Sequence, residues 1–172
     1  MKTYFVLLVF VSVSITAQTN TNWKTITQSN YSVQYPSNWE LDQSGKMGAI
    51  FFMLAPVESP ADNFKENVNL MIQDLTGMNI DLDKFTQISI DQIKTQAVKG
   101  KLIESKRMKN KTREYQKVIY TSDQNGFHLK YEQLYYVKNN KAYFLTLTCE
   151  QTKFDAYKAE GEKILNSFKL IK

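Results

Sequence analysis

The sequence predicts an α+β domain in which helices cover a largely antiparallel sheet. Apolar residues recur at every second position in many short runs, which is typical of strands that bury one face. The breaks between these runs are short and hold turn residues that tolerate positive φ, such as Asn125-Gly126 and Asn139-Asn140. Strands joined in this way pair antiparallel, and a doubly wound parallel sheet would need more than the two helices expected here.

The first part of the chain predicts strands and one loop. Alternating residues indicate strands at 23–27, 31–35 and 39–41, and a continuous apolar run indicates a buried strand at 49–54. Residues 55–63 hold two of the three prolines, which predicts a surface loop because proline cannot donate to a ladder. A further strand is expected at 67–75, where alternate residues are apolar.

A helix and four strands are expected next. Asp81 or Asp83 can cap a helix that runs to about Lys99, with Gly100 just past its end. The strands that follow are expected at 102–108, 113–122, 127–137 and 141–150.

A second helix is expected at the end of the chain. Thr152 and Asp155 have the spacing of a capping box, which predicts that this helix begins beside them. Its apolar residues then fall on one side, which would pack on the sheet. They are Phe154, Tyr157, Ile164, Leu165 and Phe168.

Residues 1–17 predict a signal peptide. Lys2 supplies the positive charge, residues 4–13 the apolar run, and Ile15-Thr16-Ala17 a cleavage site that ends in a small residue. The apolar run is too short to span a bilayer, so no transmembrane span is expected after cleavage. No repeat or shift in composition divides residues 18–172, which are expected to form one domain of a periplasmic or secreted protein.

The sequence offers no set of residues for catalysis, metal binding or a cofactor. It has no P-loop, no G-x-S-x-G and no H-E-x-x-H motif, and it contains one Cys and one His. Strand alternation groups His128 with Lys130 and Glu132, and groups Cys149 with Leu147, so a Cys149–His128 pair is expected to be split between opposite faces. We therefore expect a protein that is not an enzyme.

Tyrosines on neighbouring predicted strands are the first candidate binding surface. Tyr131, Tyr135 and Tyr143 belong to this group, and alternation places Tyr131 and Tyr135 on one face. Where helices leave part of a face open, aromatic rings can form a shallow groove for an apolar ligand, a saccharide or a partner protein. Core packing is the other interpretation, because aromatic residues are common in strands.

A basic segment is the second candidate. The formal net charge is +5, or +4 once Lys2 is removed, and much of the excess lies within residues 99–113, including Lys106, Arg107 and Lys109. Such a surface could meet lipid head groups or anionic polysaccharide. Alternatively, the lysines protect an exposed strand edge from pairing with other chains. Export argues against nucleic acid as a partner.

Four short stretches resemble one known family. They are Tyr-Ser-Val-Gln-Tyr-Pro-Ser-Asn-Trp at 31–39, Glu-Asn-Val-Asn-Leu at 66–70, Lys-Ala-Tyr-Phe-Leu-Thr-Leu at 141–147, and Phe154 with Ile-Leu-Asn-Ser-Phe-Lys at 164–169. In order and spacing, they resemble the PsbP-like superfamily over residues 23–170. The resemblance implies an α/β/α sandwich around an antiparallel sheet. It also implies kinship with a photosystem accessory protein, a Ran-binding relative and exported bacterial proteins, which are mostly binding or assembly factors.

These observations favour an exported, non-enzymatic accessory or binding protein. It would contact an envelope protein through an open sheet face or through the rim formed by residues 56–63. The alternative is a carrier of a small apolar ligand or lipid, held in a pocket between the helix at 82–99 and the sheet.

Overall fold

The computed structural model describes residues 22–109 and 112–171, so the predicted signal peptide lies outside the described residues. The described part contains ten strands and two α-helices, as expected for the predicted α+β class. In chain order the elements are β1 (Trp23–Thr27), β2 (Tyr31–Pro36), β3 (Glu40–Asp42), β4 (Phe51–Leu54), β5 (Asn67–Asp74), α1 (Leu82–Thr95), β6 (Lys101–Lys109), β7 (Glu114–Gln124), β8 (Phe127–Lys138), β9 (Lys141–Glu150), α2 (Phe154–Ser167) and β10 (Lys169–Leu170).

The strands form two antiparallel sheets. The larger sheet has seven strands in the order β3-β4-β5-β9-β8-β7-β6, and every neighbouring pair in it is antiparallel. The smaller sheet has the order β1-β2-β10. The sequence predicted a single sheet and missed β10, which is two residues long and therefore too short to show alternation.

Two predicted hairpin turns are confirmed. Asn125 and Gly126 have φ of 52° and 86°, and Asn139 and Asn140 have φ of 53° and 55°. These left-handed conformations match the right-handed twist of the flanking strands, which explains the tight connections from β7 to β8 and from β8 to β9.

Helix α1 begins where the sequence predicted and ends earlier. The Asp81 side chain accepts a hydrogen bond from the Lys84 amide at 2.8 Å, so Asp81 is the N-cap. The helix ends at Thr95 instead of Lys99, because the next residues turn toward β7. The Asp123 amide donates to the Val98 carbonyl at 2.8 Å.

Helix α2 does not use the predicted capping box. Its N-cap is Lys153, and no side chain of residues 22–109 or 112–171 caps its first turn, so the role assigned to Thr152 was wrong. The Lys153 ammonium instead lies 2.9 Å from the Asp62 carboxylate and 3.4 Å from the Glu150 carboxylate. These ion pairs fix the start of α2 relative to the loop before β5.

Helix α2 and the small sheet cover one face of the large sheet. Trp39 is buried there and donates from its indole nitrogen to Glu160 at 2.9 Å. The helix approaches β9 closely at Gly161, where an added Cβ would lie 2.5 Å from a Leu147 methyl carbon. This face therefore holds the main hydrophobic core, whose largest fully buried members include Phe51, Met53, Leu70, Leu145, Leu147, Phe154, Ile164, Leu165 and Phe168. Neither helix of the described part is long and apolar enough to cross a membrane.

Candidate binding groove

Helix α1 covers only part of the opposite sheet face. It packs on β6, β7 and β8, and Phe85 meets the Tyr135 ring edge-on at a centroid distance of 5.4 Å. Phe85 also contacts Phe144 of β9, with the ring centroids 5.8 Å apart. The face formed by β5 and β9 continues beyond this helix as a recess, so the helix forms one wall of a groove.

The groove consists of two adjoining cavities on this face. One lies between α1 and the sheet and has a volume of about 560 Å³. The other lies over β5, β9 and β8 and has a volume of about 380 Å³. Both cavities are lined by Tyr120, Gln124, Tyr131, Gln133 and Phe144. We call the two together the α1-face groove, and each is large enough for a small ligand or a short segment of a longer one.

Neutral polar side chains form the floor of the second cavity in two rows across the sheet. The strand register aligns Asn67 with Thr148 and Thr148 with Tyr131 in one row. It aligns Asn69 with Thr146 and Thr146 with Gln133 in the next. Neighbouring strands are about 4.8 Å apart, and alternate residues of one strand are about 6.6 Å apart. The floor therefore carries a regular grid of amide and hydroxyl groups, with apolar residues such as Phe52 and Met71 beside it.

Part of this grid is held in place by its own hydrogen bonds. The Gln133 amide nitrogen donates to the Thr146 hydroxyl at 3.0 Å, and Gln133 in turn accepts from the Tyr135 hydroxyl. Asn69 donates to the Asn67 side-chain oxygen at 3.4 Å. Among the described residues the Thr148 hydroxyl has no hydrogen-bond partner, although the residue is only 7% exposed and lines the cavity. The groove thus presents a hydroxyl that is open to a ligand from the cavity.

Aromatic rings stand beside the polar floor. Tyr120 and Tyr131 stack with their centroids 4.5 Å apart and their planes 9° apart. At the outer end of the groove Phe64 packs against Phe127 at 5.2 Å. The Tyr131 hydroxyl donates to Gln124 at 3.0 Å, which fixes the ring pair in position. Flat apolar surfaces therefore alternate with hydrogen-bonding groups along the groove.

The groove carries almost no charge. The chain has 22 Lys and Arg and 17 Asp and Glu, yet among the described residues no charged side chain lines the second cavity and only Asp123 lines the first. Burial raises the pKa of Tyr120, Tyr131 and Tyr135, so their hydroxyls stay protonated. Asp123 is paired with Lys99 at 2.6 Å, and this contact lowers the pKa of Asp123.

The structure divides the tyrosines that the sequence singled out. Tyr131 and Tyr135 line the groove together. Tyr143 lies on the other face, where it is 4% exposed, packs near Phe168 and accepts a hydrogen bond from Asn30 at 3.1 Å. Tyr143 therefore contributes to the core of the α2 face. Tyr135 is 2% exposed and packs in the core under α1 at the border of the first cavity, and Tyr131 lines both cavities.

The floor residues were missed by the sequence reasoning. Asn67 and Asn69 alternate in β5, and Thr146 and Thr148 alternate in β9. Asn is depleted in strands, and both strands are otherwise strongly apolar. Polar residues at every second position of two buried strands were the signal that could have revealed this surface.

The basic candidates lie at an edge of the large sheet, away from the groove floor. Lys106, Arg107 and Lys109 belong to β6, the outermost strand. Arg107 is paired with Asp83 and lies 3.1 Å from Glu114, and Lys109 lies 3.2 Å from the same Glu114 carboxylate. Charged side chains on an edge strand hinder pairing with other chains, which matches the alternative interpretation of this segment.

The expectation for Cys149 and His128 needs a correction. The register pairs Lys130 with Cys149, so His128, Lys130 and Glu132 share the α2 face with Cys149 and do not lie on the opposite face. Glu132 is buried and lies 3.0 Å from the Lys117 ammonium. Burial raises the pKa of Cys149 to about 12, so its sulfur is held as a thiol.

The proline-containing rim is tied to α2. Lys153 lies 2.9 Å from Asp62 and 3.5 Å from Glu58, and the Tyr157 hydroxyl donates to Glu58 at 2.9 Å. These contacts hold the loop at the α2 side of the molecule. The groove and the rim are therefore separate surfaces. No group of acidic, His or Cys side chains in the described part is arranged to hold a metal ion.

These features define an α+β domain with a neutral, ligand-sized groove on one sheet face. The family model described as PsbP-like protein matches residues 11–170, and the chain belongs to that family. A search of curated proteins found no match.

Three solved structures share the fold at low sequence identity. The solution structure of cyanobacterial PsbP (CyanoP) from Synechocystis sp. PCC 6803 is 16% identical with a TM-score of 0.63, over 92% of this chain and 98% of that one. LpqN of Mycobacterium tuberculosis, described as involved in cell envelope biogenesis, is 11% identical with a TM-score of 0.60, over 89% and 92%. PA94 of Pseudomonas aeruginosa, described as a protein of unknown function and putative regulator, is 11% identical with a TM-score of 0.59, over 84% and 94%.

Proposed function

We propose that the protein is an exported binding domain that holds a neutral component of the cell envelope in the α1-face groove. The observation that carries the proposal is the grid of uncharged amide and hydroxyl groups on the floor, bordered by stacked aromatic rings. The opposite face, by contrast, holds the main hydrophobic core.

Export is part of the proposal. The apolar run after Lys2 and the small residue at Ala17 have the pattern of a cleaved signal peptide. The fold neighbour LpqN, described as involved in cell envelope biogenesis, is consistent with such a location. The intact mass of protein recovered from the producing cells tests this point. We expect a chain that begins near Gln18, and a full-length cytoplasmic product would contradict it.

A carrier of an apolar ligand is the second candidate, and the cavity of about 560 Å³ under α1 favours it. The polar residues among the apolar ones of its lining argue against a lipid tail, because a polar group buried beside an acyl chain loses its hydrogen bonds to water. The neutral polar residues of this lining are Gln73, Ser89, Gln92, Gln96, Ser122, Gln124 and Gln133.

Sedimentation with isolated envelope material tests the groove directly. The wild-type protein should cosediment saturably, and Asn69→Trp should not, because an indole would fill the second cavity. Asn38→Trp is the matched control, since Asn38 is exposed in the turn before Trp39 and a tryptophan there adds the same apolar surface elsewhere. Equal sedimentation of both variants and the wild type would refute the groove as the binding site.

A further inference from the structure

The α1-face groove has the chemistry of a site for one class of ligand. We infer that it binds a neutral glycan, laid across β5, β9 and β8, and this inference rests on the proposed function of the groove.

The backbone of the floor is not available to a ligand. Strand β9 pairs with β5 on one side and β8 on the other, and both outer strands have further partners in β4 and β7. A bound peptide strand needs an unpaired sheet edge for its main-chain hydrogen bonds. The groove offers a sheet face, so a ligand is recognised here by side chains alone.

The charge of the groove excludes acidic ligands. Recognition of phosphate, carboxylate or sulfate groups uses Arg, Lys or amide groups at a helix N-terminus. No Lys or Arg in the described part of the chain lines either cavity. Several of these basic residues lie on the β6 edge instead. An anion in the groove would lose its hydration without gaining a countercharge.

The hydrogen-bonding groups match hydroxyls. Side-chain amides and hydroxyls both donate and accept, as sugar hydroxyls do, and Asn67, Asn69, Gln133, Thr146 and Thr148 are all of this kind. Within each row these groups repeat at the strand spacing of about 4.8 Å, which suits a ligand that presents hydroxyls at regular intervals.

The aromatic surfaces supply the other half of glycan recognition. The C–H faces of a pyranose ring are apolar, and the tyrosine and phenylalanine rings beside the floor offer flat apolar partners. The Thr148 hydroxyl provides a polar partner that the described residues leave without a hydrogen bond. A lipid would cover the rings but offer no hydrogen bond to the floor, whereas a glycan can pack on the rings and also pair with the Thr148 hydroxyl.

The experiment uses the protein as the host exports it and polysaccharide from the same envelope. The polysaccharide is freed of protein by protease and divided by anion exchange into a neutral and an acidic fraction. Binding of each fraction is measured by isothermal titration. We expect saturable binding of the neutral fraction and none of the acidic fraction.

Two variants remove polar groups from the floor, and one serves as control. Thr148→Val and Asn69→Leu should each weaken binding of the neutral fraction roughly fivefold, the effect of about one lost hydrogen bond. Thr121→Val makes the same hydroxyl-to-methyl change on β7, where Thr121 pairs with Lys130 and faces the other side of the sheet. It should bind like the wild type. Urea midpoints close to the wild-type value show that the variants are folded.

The outcomes separate this inference from the proposed function. Equal or tighter binding of the acidic fraction overturns the inference. A second result also overturns the inference. If neither fraction binds, while intact envelope material captures the wild type but not Asn69→Trp and protease treatment abolishes this capture, the ligand of the groove is a protein. Loss of all groove-dependent capture from intact envelope overturns the proposed function as well. Unchanged binding by both floor variants contradicts the assigned contacts.

Discussion

The close approach of α2 to β9 makes Gly161→Ala an informative substitution. In a solvent-exposed helix this change stabilises by about 1 kcal/mol, because alanine has the higher helix propensity. Here the new Cβ would lie 2.5 and 2.6 Å from the two methyl carbons of Leu147, a side chain that is fully buried. Relieving those contacts requires a shift of about 1 Å in a close-packed core, and such overpacking costs about 1–3 kcal/mol.

The two effects oppose each other, and the overpacking should dominate. We expect Gly161→Ala to lower the free energy of unfolding by about 1 kcal/mol. In a Leu147→Ala background the clash is absent, so there the same substitution should raise the free energy of unfolding by about 1 kcal/mol. The difference between the two backgrounds is a coupling energy of about 2 kcal/mol, which is typical of residues in direct contact.

Urea unfolding followed by tryptophan fluorescence measures these energies, since Trp39 is buried against α2. Ala159→Gly, at an exposed position of the same helix, is the control that measures the propensity effect alone. Stabilisation by Gly161→Ala in the wild-type background would refute the close approach of the helix. Equal effects in both backgrounds would show that Leu147 is not the residue in contact.

Three further predictions concern the cap of α1 and two buried ionisable groups. Asp81→Ala should lower the free energy of unfolding, measured in urea, by about 1 kcal/mol because it removes the N-cap. Asp91→Ala in the same helix should lower it less. Equal decreases for the two variants would contradict the role of Asp81 as the cap. Burial raises the pKa of Glu132, so the native state binds that proton more tightly than the unfolded chain does, and stability should fall as the pH rises from the ordinary glutamate range through the raised pKa. The urea midpoint measured between about pH 4 and pH 8 should therefore depend less on pH in Glu132→Gln than in the wild type. The same pH dependence in both proteins would show that Glu132 does not titrate in this range. Because burial raises the pKa of Cys149 to about 12, a disulfide reagent at neutral pH should label it only as fast as the protein opens, and rapid labelling without urea would contradict its burial.

The comparison of sequence and structure shows which signals are local. The Asn125-Gly126 turn and the Asp81 cap were predicted correctly, because each depends on a few adjacent residues. The capping box at Thr152 failed because contacts of Lys153 with the distant Asp62 fix the start of α2 instead. A long-range ion pair cannot be seen in the spacing of neighbouring residues.

The candidate site was only partly predictable for the same reason. Alternation correctly placed Tyr131 and Tyr135 on one face, yet Tyr143 was grouped with them although it lies on the other. Assigning residues of different strands to one face requires the register between the strands. The error over Cys149 and His128 has this origin too, since the pairing of Lys130 with Cys149 decides which faces coincide.

The sequence by itself determined the succession of strands and helices, since side-chain periodicity and turn chemistry act over a few residues. It also contained the alternating polar residues of β5 and β9. Only the tertiary structure decided that β5 lies beside β9 and that α1 stops short of their polar face. Contacts between residues far apart in the chain determine both, because they depend on which buried surfaces fit together. The groove arises from that packing, and no single segment of the chain specifies it.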